Sequence, residues 1–167
     1  MRGTQTKRWL SLIAVVAVMA MIFLFSAQEG DDSAKLSDGV TEWVLAAVVP
    51  GYRGLSRFRK LQYLRRTGLL VRKAAHFSEY ALLGAMLSVH LHYVLAGRRL
   101  RRVALASWLA ATLYAATDEL HQMFVGGRGP SGADVRIDSA GALAGALVGV
   151  AVILIWHKIK EKRHHLA

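Results

Sequence analysis

The chain has 167 residues, 54% of them apolar and 20% charged, with a net charge of +11 and a mean hydropathy of +0.32. That balance excludes a disordered chain. Because the apolar residues gather in uncharged blocks with basic residues between them, it favours a small polytopic membrane protein over a soluble domain. With no cysteine in the sequence, disulfides, thiolate metal sites and a cysteine nucleophile are excluded as well.

The first apolar block, residues 9–25, carries no charge and as a helix would reach about 25 Å, close to the thickness of the hydrocarbon core. It reads as an uncleaved span, because Phe25-Ser26-Ala27 lacks the small residue that opens a signal-peptidase site. In residues 26–73 the acids Glu29, Asp31, Asp32, Asp38 and Glu42 come first and the basic residues later. Leu36, Val40, Trp43 and Ala47, then Leu55, Phe58, Leu61 and Leu64, recur at helical spacing on either side of Pro50-Gly51, which predicts one or two interfacial helices. The second would carry Arg53, Arg57, Arg59, Lys60, Arg65 and Arg66, either against anionic headgroups or simply in water.

Three more spans are predicted at about residues 74–96, 103–125 and 140–156. The fold class is therefore all-α integral membrane, with four transmembrane helices in an antiparallel bundle. The membrane domain covers residues 9–157, between a tail at 1–8 and a basic tail at 158–167. Lys7 and Arg8, the arginines at 98, 99, 101 and 102, and Lys158, Lys160, Lys162 and Arg163 all flank apolar blocks. This placement indicates the lipid bilayer as partner and not nucleic acid, since no aromatic-basic platform accompanies it. It also predicts that both termini and the 97–102 turn are cytoplasmic. Gly141, Gly145 and Gly149 form a small-residue face on the last helix, for packing within the chain or for self-association.

Ionisable groups inside spans cost about 2.5–3.5 kcal/mol each on insertion scales and usually face a cavity. Arg72, His76, Glu79 and Tyr80 fall on one face of the second span, with Lys73 beside them, and Asp118 and Gln122 share a face of the third, next to Glu119. The tight turn between these helices makes them neighbours, so a shared polar pocket in the outer leaflet is expected, closed by residues 126–137 with Arg128 and Asp134. Asp138, before the last apolar run, is either a helix N-cap or part of the site. The candidate catalytic set is His76, Glu79, Asp118, Glu119 and Gln122; the candidate substrate-binding set is Arg72, Lys73, Tyr80, Arg128, Asp134 and Asp138. A metal is not expected, because pairing His76-x-x-Glu79 with Asp118-x-x-His121 would depend on His121. No cofactor is indicated.

The run Arg72-Lys73-x-x-His76-Phe77-x-Glu79-Tyr80 with Gly84, followed by Asp118-Glu119-x-x-Gln122, Arg128, Asp134 and Asp138 leading into Gly141-Ala142-x-x-Gly145, resembles the VanZ-like family. Ser26-x-Gln28 after the first span is similar to its early motif. Asp138 stands where the family often has Asn, and His121 lies outside the motif. The family takes its name from a protein associated with resistance to the glycopeptide teicoplanin. The resemblance thus implies a bacterial plasma-membrane protein working near envelope lipid intermediates or surface glycans. Two roles stay open: an intramembrane enzyme using the His/Glu/Asp/Arg site, or a non-catalytic protein that binds or shields a cell-wall lipid precursor or antibiotic.

Overall fold

The computed structural model describes residues 2–28, 30–96, 98–127 and 131–165. Among these the chain is all-α: α1 (Arg2–Ser26), α2 (Gly30–Val48), one 3-10 turn (Tyr52–Gly54), α3 (Arg57–Val94), α4 (Leu100–Gln122) and α5 (Gly132–His165). Helix α3 is central and packs on the other four.

The closest packing joins α3 to α5, and small residues make it happen. A Cβ on Gly145 would lie 1.8 Å from the Ala81 carbonyl oxygen, and one on Gly141 2.2 Å from that of Phe77. Gly84 reciprocates from α3, where a Cβ would meet the Ala142 carbonyl oxygen at 2.2 Å. Ser88 adds a hydrogen bond to the Ala146 carbonyl at 3.1 Å. The small-residue face of α5 is therefore taken up by α3 of the same chain, backbone against backbone.

The bundle is apolar outside and small or polar inside. On α4 the leucines at 105, 109, 113 and 120 are exposed, whereas Ser107, Ala111, Ala115, Asp118, Glu119 and Gln122 are buried. On α5 Leu147, Val148, Val152 and Ile155 face out while Ala142 and Ala146 are fully buried. A soluble bundle reverses this pattern; lipid tolerates it, because helices there associate through close packing and polar contacts.

Two helices, Gly3–Ser26 and Gly132–Arg163, are long and apolar enough to cross a membrane. Of the four predicted spans, those on α3 and α4 fall short by that measure. Helix α4 buries Ser107, Asp118, Glu119 and Gln122, and α3 carries Arg72, Lys73, His76 and Glu79 within its predicted span or at its edge, which lowers their mean hydropathy.

The helix boundaries correct several expectations. The second predicted interfacial helix is continuous with the second span, so α3 runs for 38 residues, about 57 Å, well past the roughly 30 Å of a hydrocarbon core. Its first third pairs with α2 in a hairpin. The chain turns there through Gly51, whose φ of 74° suits a residue without a side chain, and α2 crosses near Gly68, close to Asp38 and Thr41. Thr41 and Leu45 face α3, whereas Leu36, Val40 and Trp43, the stripe read from spacing, are exposed. Helix α5 starts at Gly132, so the predicted 126–137 loop is half helix and Asp138 is no N-cap. Ser131 takes that place: its hydroxyl accepts the Asp134 amide at 3.2 Å, the N-cap to N3 pattern.

One end of the bundle gathers both chain ends and the α3–α4 turn. The Arg8 guanidinium donates to the Tyr93 carbonyl at 2.9 Å, Ser11 meets His90 at 3.0 Å, and the Lys7 ammonium lies 5.2 Å from the Trp156 ring centre. His92 and His157 pair there with ring centres 5.1 Å apart. The candidate site lies at the opposite end.

Candidate functional site

The site sits where α1 ends, α4 ends and α5 begins. Asp118 lies one turn, about 6 Å, from the end of α4, and Asp138 about 9 Å into α5. A cavity of about 190 Å³ opens beside them, lined by Ile22, Phe25, Ser26 and Gln28 from α1 and its end, Ser33, Leu36, Ser37 and Val40 from α2, Val71, Arg72, Ala75, His76 and Glu79 from α3, and Asp118 from α4. One wall is aliphatic and aromatic, and the floor is polar. Among the described residues α2 covers it, and Arg128 of the expected 126–137 cover lies outside the described residues.

The site's polar side chains fall into two linked groups. His76 Nδ1 approaches Asp138 Oδ1 at 3.5 Å, and Asp138 is only 2% exposed. The Gln122 amide donates to Ser26 Oγ at 2.8 Å and to Asp118 Oδ2 at 3.2 Å, tying α4 to the end of α1. Asp118 is 5% exposed and Tyr80 fully buried. Asp118 Oδ1 and the Tyr80 hydroxyl have no hydrogen-bond partner among the described residues. A buried oxygen without a donor is costly, on the order of 1–3 kcal/mol; Asp118 lines the cavity and Tyr80 lies outside its lining.

Other predicted members serve elsewhere. Glu119 accepts the Ser131 backbone amide, so it fastens the start of α5 and lies outside the cavity lining. Lys73 and Asp134 pair with each other at 3.8 Å across α3 and α5. Arg128 lies outside the described residues. His121 stacks on Phe23 with ring centres 4.7 Å apart, apart from the cavity. Among the described residues no three His, Asp or Glu side chains cluster to hold a metal ion.

Sequence reasoning noted Ser26 only within the Ser26-x-Gln28 motif and gave it no part in the site, and it missed the contribution of α2. Ser26 is 4% exposed, bonded to Gln122 and part of the cavity lining; a polar residue closing an apolar helix was the available signal. Nothing in the spacing of Ser33, Leu36, Ser37 and Val40 indicates that they turn toward His76, since that depends on where the hairpin folds.

An all-α bundle with two long apolar helices, an apolar exterior and a polar pocket between its helices has the build of a membrane protein. A family model described as VanZ/LLP1 matches residues 11–155, most of the chain, which therefore belongs to the VanZ/LLP1 family. No curated protein and no solved structure matches it.

Proposed function

We propose that the chain crosses the bacterial plasma membrane four times, with both termini and the α3–α4 turn cytoplasmic, and uses the pocket at the outer face to bind the head of an envelope amphiphile. A lipid-linked cell-wall intermediate is the class in mind, and through it the protein would alter susceptibility to glycopeptide antibiotics. Four crossings are supported by the outward leucines of α4 and by the gathering of both ends with the arginine-rich turn, as the positive-inside rule requires.

The observation that carries the binding reading is the two-sided cavity: Ile22, Phe25, Leu36, Val40 and Val71 on its wall suit an acyl chain, and Arg72, His76, Glu79 and Asp118 on its floor suit a polar head. With Nδ1 of His76 held against Asp138, the other ring nitrogen is left to serve the cavity, the arrangement that readies an imidazole to move a proton at a bound head. An enzymatic role is the reading that uses this pair. Shielding of a bound precursor or antibiotic is the second reading, favoured by the 3.5 Å His76–Asp138 contact, at which Nδ1 makes no hydrogen bond among the described residues.

The test is lipid retained by the purified protein, identified by mass spectrometry, alongside teicoplanin susceptibility for wild type, His76→Asn and Asp138→Asn at equal membrane levels. Loss of phenotype with lipid retained supports proton-transfer chemistry. Loss of both supports binding alone. A phenotype unchanged in both variants refutes a role for the pair.

A further inference from the structure

We infer that the face of α3 turned away from α2, from Phe58 to Leu70, is a docking surface for anionic phospholipid of the bilayer itself, with its arginines on the phosphates and its apolar side chains at the edge of the hydrocarbon. The inference goes beyond the pocket and rests only on the crossing by α3 proposed above.

Residues 43–78 hold eight basic residues and no acid, so this part of the chain cannot neutralise its own charge. The described ion pairs do not help, since they join Lys73 to Asp134 and His76 to Asp138 and leave Arg59 and Arg66 without a described acid. Helix α2 lies on the opposite side, near Gly68, about 200° round the helix from Arg66. On the free side Arg59, Gln62 and Arg66 run along the middle at helical spacing, with Phe58 and Leu69 on one flank and Tyr63 and Leu70 on the other, all of them exposed. Cations between aromatic and aliphatic side chains are the composition of a helix that binds an anionic membrane surface. A two-fold contact with a second copy would set this face against itself, arginine against arginine.

The length of α3 brings this face down to the lipid. Its exposed large apolar side chains continue from Leu69 and Leu70 through Phe77 and Leu82 to Val94, about 38 Å along the axis. A hydrocarbon core of about 30 Å matches that run when the helix tilts by about 40°, the upper end of what membrane helices adopt. At that lean Arg66, about one turn beyond Leu69, enters the headgroup layer, and Arg59, about 15 Å beyond Leu69 along the helix, reaches back to it along its aliphatic stem. Guanidinium groups suit phosphodiesters because their planar N–H forks match the phosphate oxygens.

The test places a single nitroxide label on the full, naturally cysteine-free chain, at Gln62→Cys on the face, at Ala47→Cys on the exposed side of α2, or at Leu82→Cys in the crossing. Each protein is reconstituted in vesicles of phosphatidylcholine alone or with phosphatidylglycerol added, and collision with a water-soluble nickel chelate is measured. Adding phosphatidylglycerol should lower the collision rate at position 62 at least about fivefold, the contribution of a single arginine near an anionic surface, and leave position 47 unchanged. High salt should reverse the protection, as should Arg57→Gln, Arg59→Gln, Arg65→Gln and Arg66→Gln made together. A collision rate at 62 that is the same in both vesicles overturns the anionic docking face, and so does protection that salt leaves intact. Protection that fades as the protein is diluted in lipid overturns it in favour of a second copy. Free collision at 82 overturns the crossing by α3 and with it the lean, whereas protection at 82 with none at 62 overturns the docking face alone.

Discussion

Replacing Gly145 with alanine adds one methyl group at the tightest point between α3 and α5. Its Cβ would lie 1.8 Å from the Ala81 carbonyl oxygen and 2.5 Å from the carbonyl carbon, so the helices must part by about 1.6 Å to reach ordinary contact near 3.4 Å. The obstacle is backbone, which cannot rotate away as a side chain would. Overpacking costs typically 1–3 kcal/mol, and this site belongs at the top of that range, offset by at most about 1 kcal/mol from better helix propensity. The same substitution at Gly149, where the Ala85 carbonyl oxygen and the Ser88 Cβ each lie 2.8 Å away, needs about 0.6 Å and should cost less than at Gly145 but still destabilise. In α2, Gly39 has nothing within 4 Å, so Gly39→Ala should be neutral or slightly stabilising. For a chain of this size 1 kcal/mol moves Tm by about 2–4 °C, which gives a loss of about 4–12 °C for Gly145→Ala. Thermal unfolding in detergent, followed by size-exclusion fluorescence, ranks the three variants. Because the same separation lifts Asp138 from His76 two turns away, Gly145→Ala should also lose the pocket's lipid. A Gly145→Ala protein as stable as wild type would refute the close approach and with it the frame that sets the His76–Asp138 distance.

Reporter fusions after residue 99 and at the carboxyl terminus should both report cytoplasm; an exported signal at residue 99 would invert the site. In this cysteine-free chain, Ser26→Cys with Gln122→Cys should be bridged by a short bis-thiol crosslinker, since the native side chains bond at 2.8 Å, whereas Ser11→Cys with Gln122→Cys should not, because Ser11 meets His90 at the other end. Glu119→Gln keeps an acceptor for the Ser131 amide and should cost under about 1 kcal/mol in thermal stability, while Glu119→Leu removes it and should cost about 1–3 kcal/mol. Equal melting of the two Glu119 variants would remove that carboxylate from the anchoring of α5.

The sequence carried the all-α class and the approximate positions of the long helices because charge breaks up the apolar blocks at the turns. It misjudged two boundaries for one physical reason: helical backbone can continue where hydrophobicity stops. Arg57 to Val71 reads as amphipathic and separate, yet no proline or glycine turn divides it from the following span, so α3 simply runs on. Gly132 to Asp138 reads as loop because it is polar, yet Ser131 supplies the cap that starts a helix there. In the site, spacing was sufficient to bring His76, Glu79 and Asp118 to one cavity, since residues on one face of each helix meet when a short turn joins the helices. It was insufficient for Glu119, which shares the sequence neighbourhood of Asp118 but turns about 100° away around α4 to the Ser131 amide. It was also insufficient for Asp138, whose partner could not be assigned until the start of α5 was known.

The glycines and the buried charges belong to one design problem. An imidazole–carboxylate pair between two helices needs its backbones close, because Asp has a short side chain and an ordinary interaxial separation of about 8–10 Å leaves it little reach. Gly141 and Gly145 on α5, and Gly84 on α3, remove the side chains that would hold α3 and α5 at that separation, and His76 and Asp138 lie at the end of the seam nearest the cavity. The small residues therefore do more than join two helices. They set the distance across which a half-buried histidine meets its acid, and beside that pair α1, α2 and α4 complete the cavity, with Ser26, Leu36 and Asp118 supplying a hydroxyl, apolar wall and a carboxylate. Stability and site are coupled at this seam, so a substitution that widens it acts on the pocket even when it touches no group lining it.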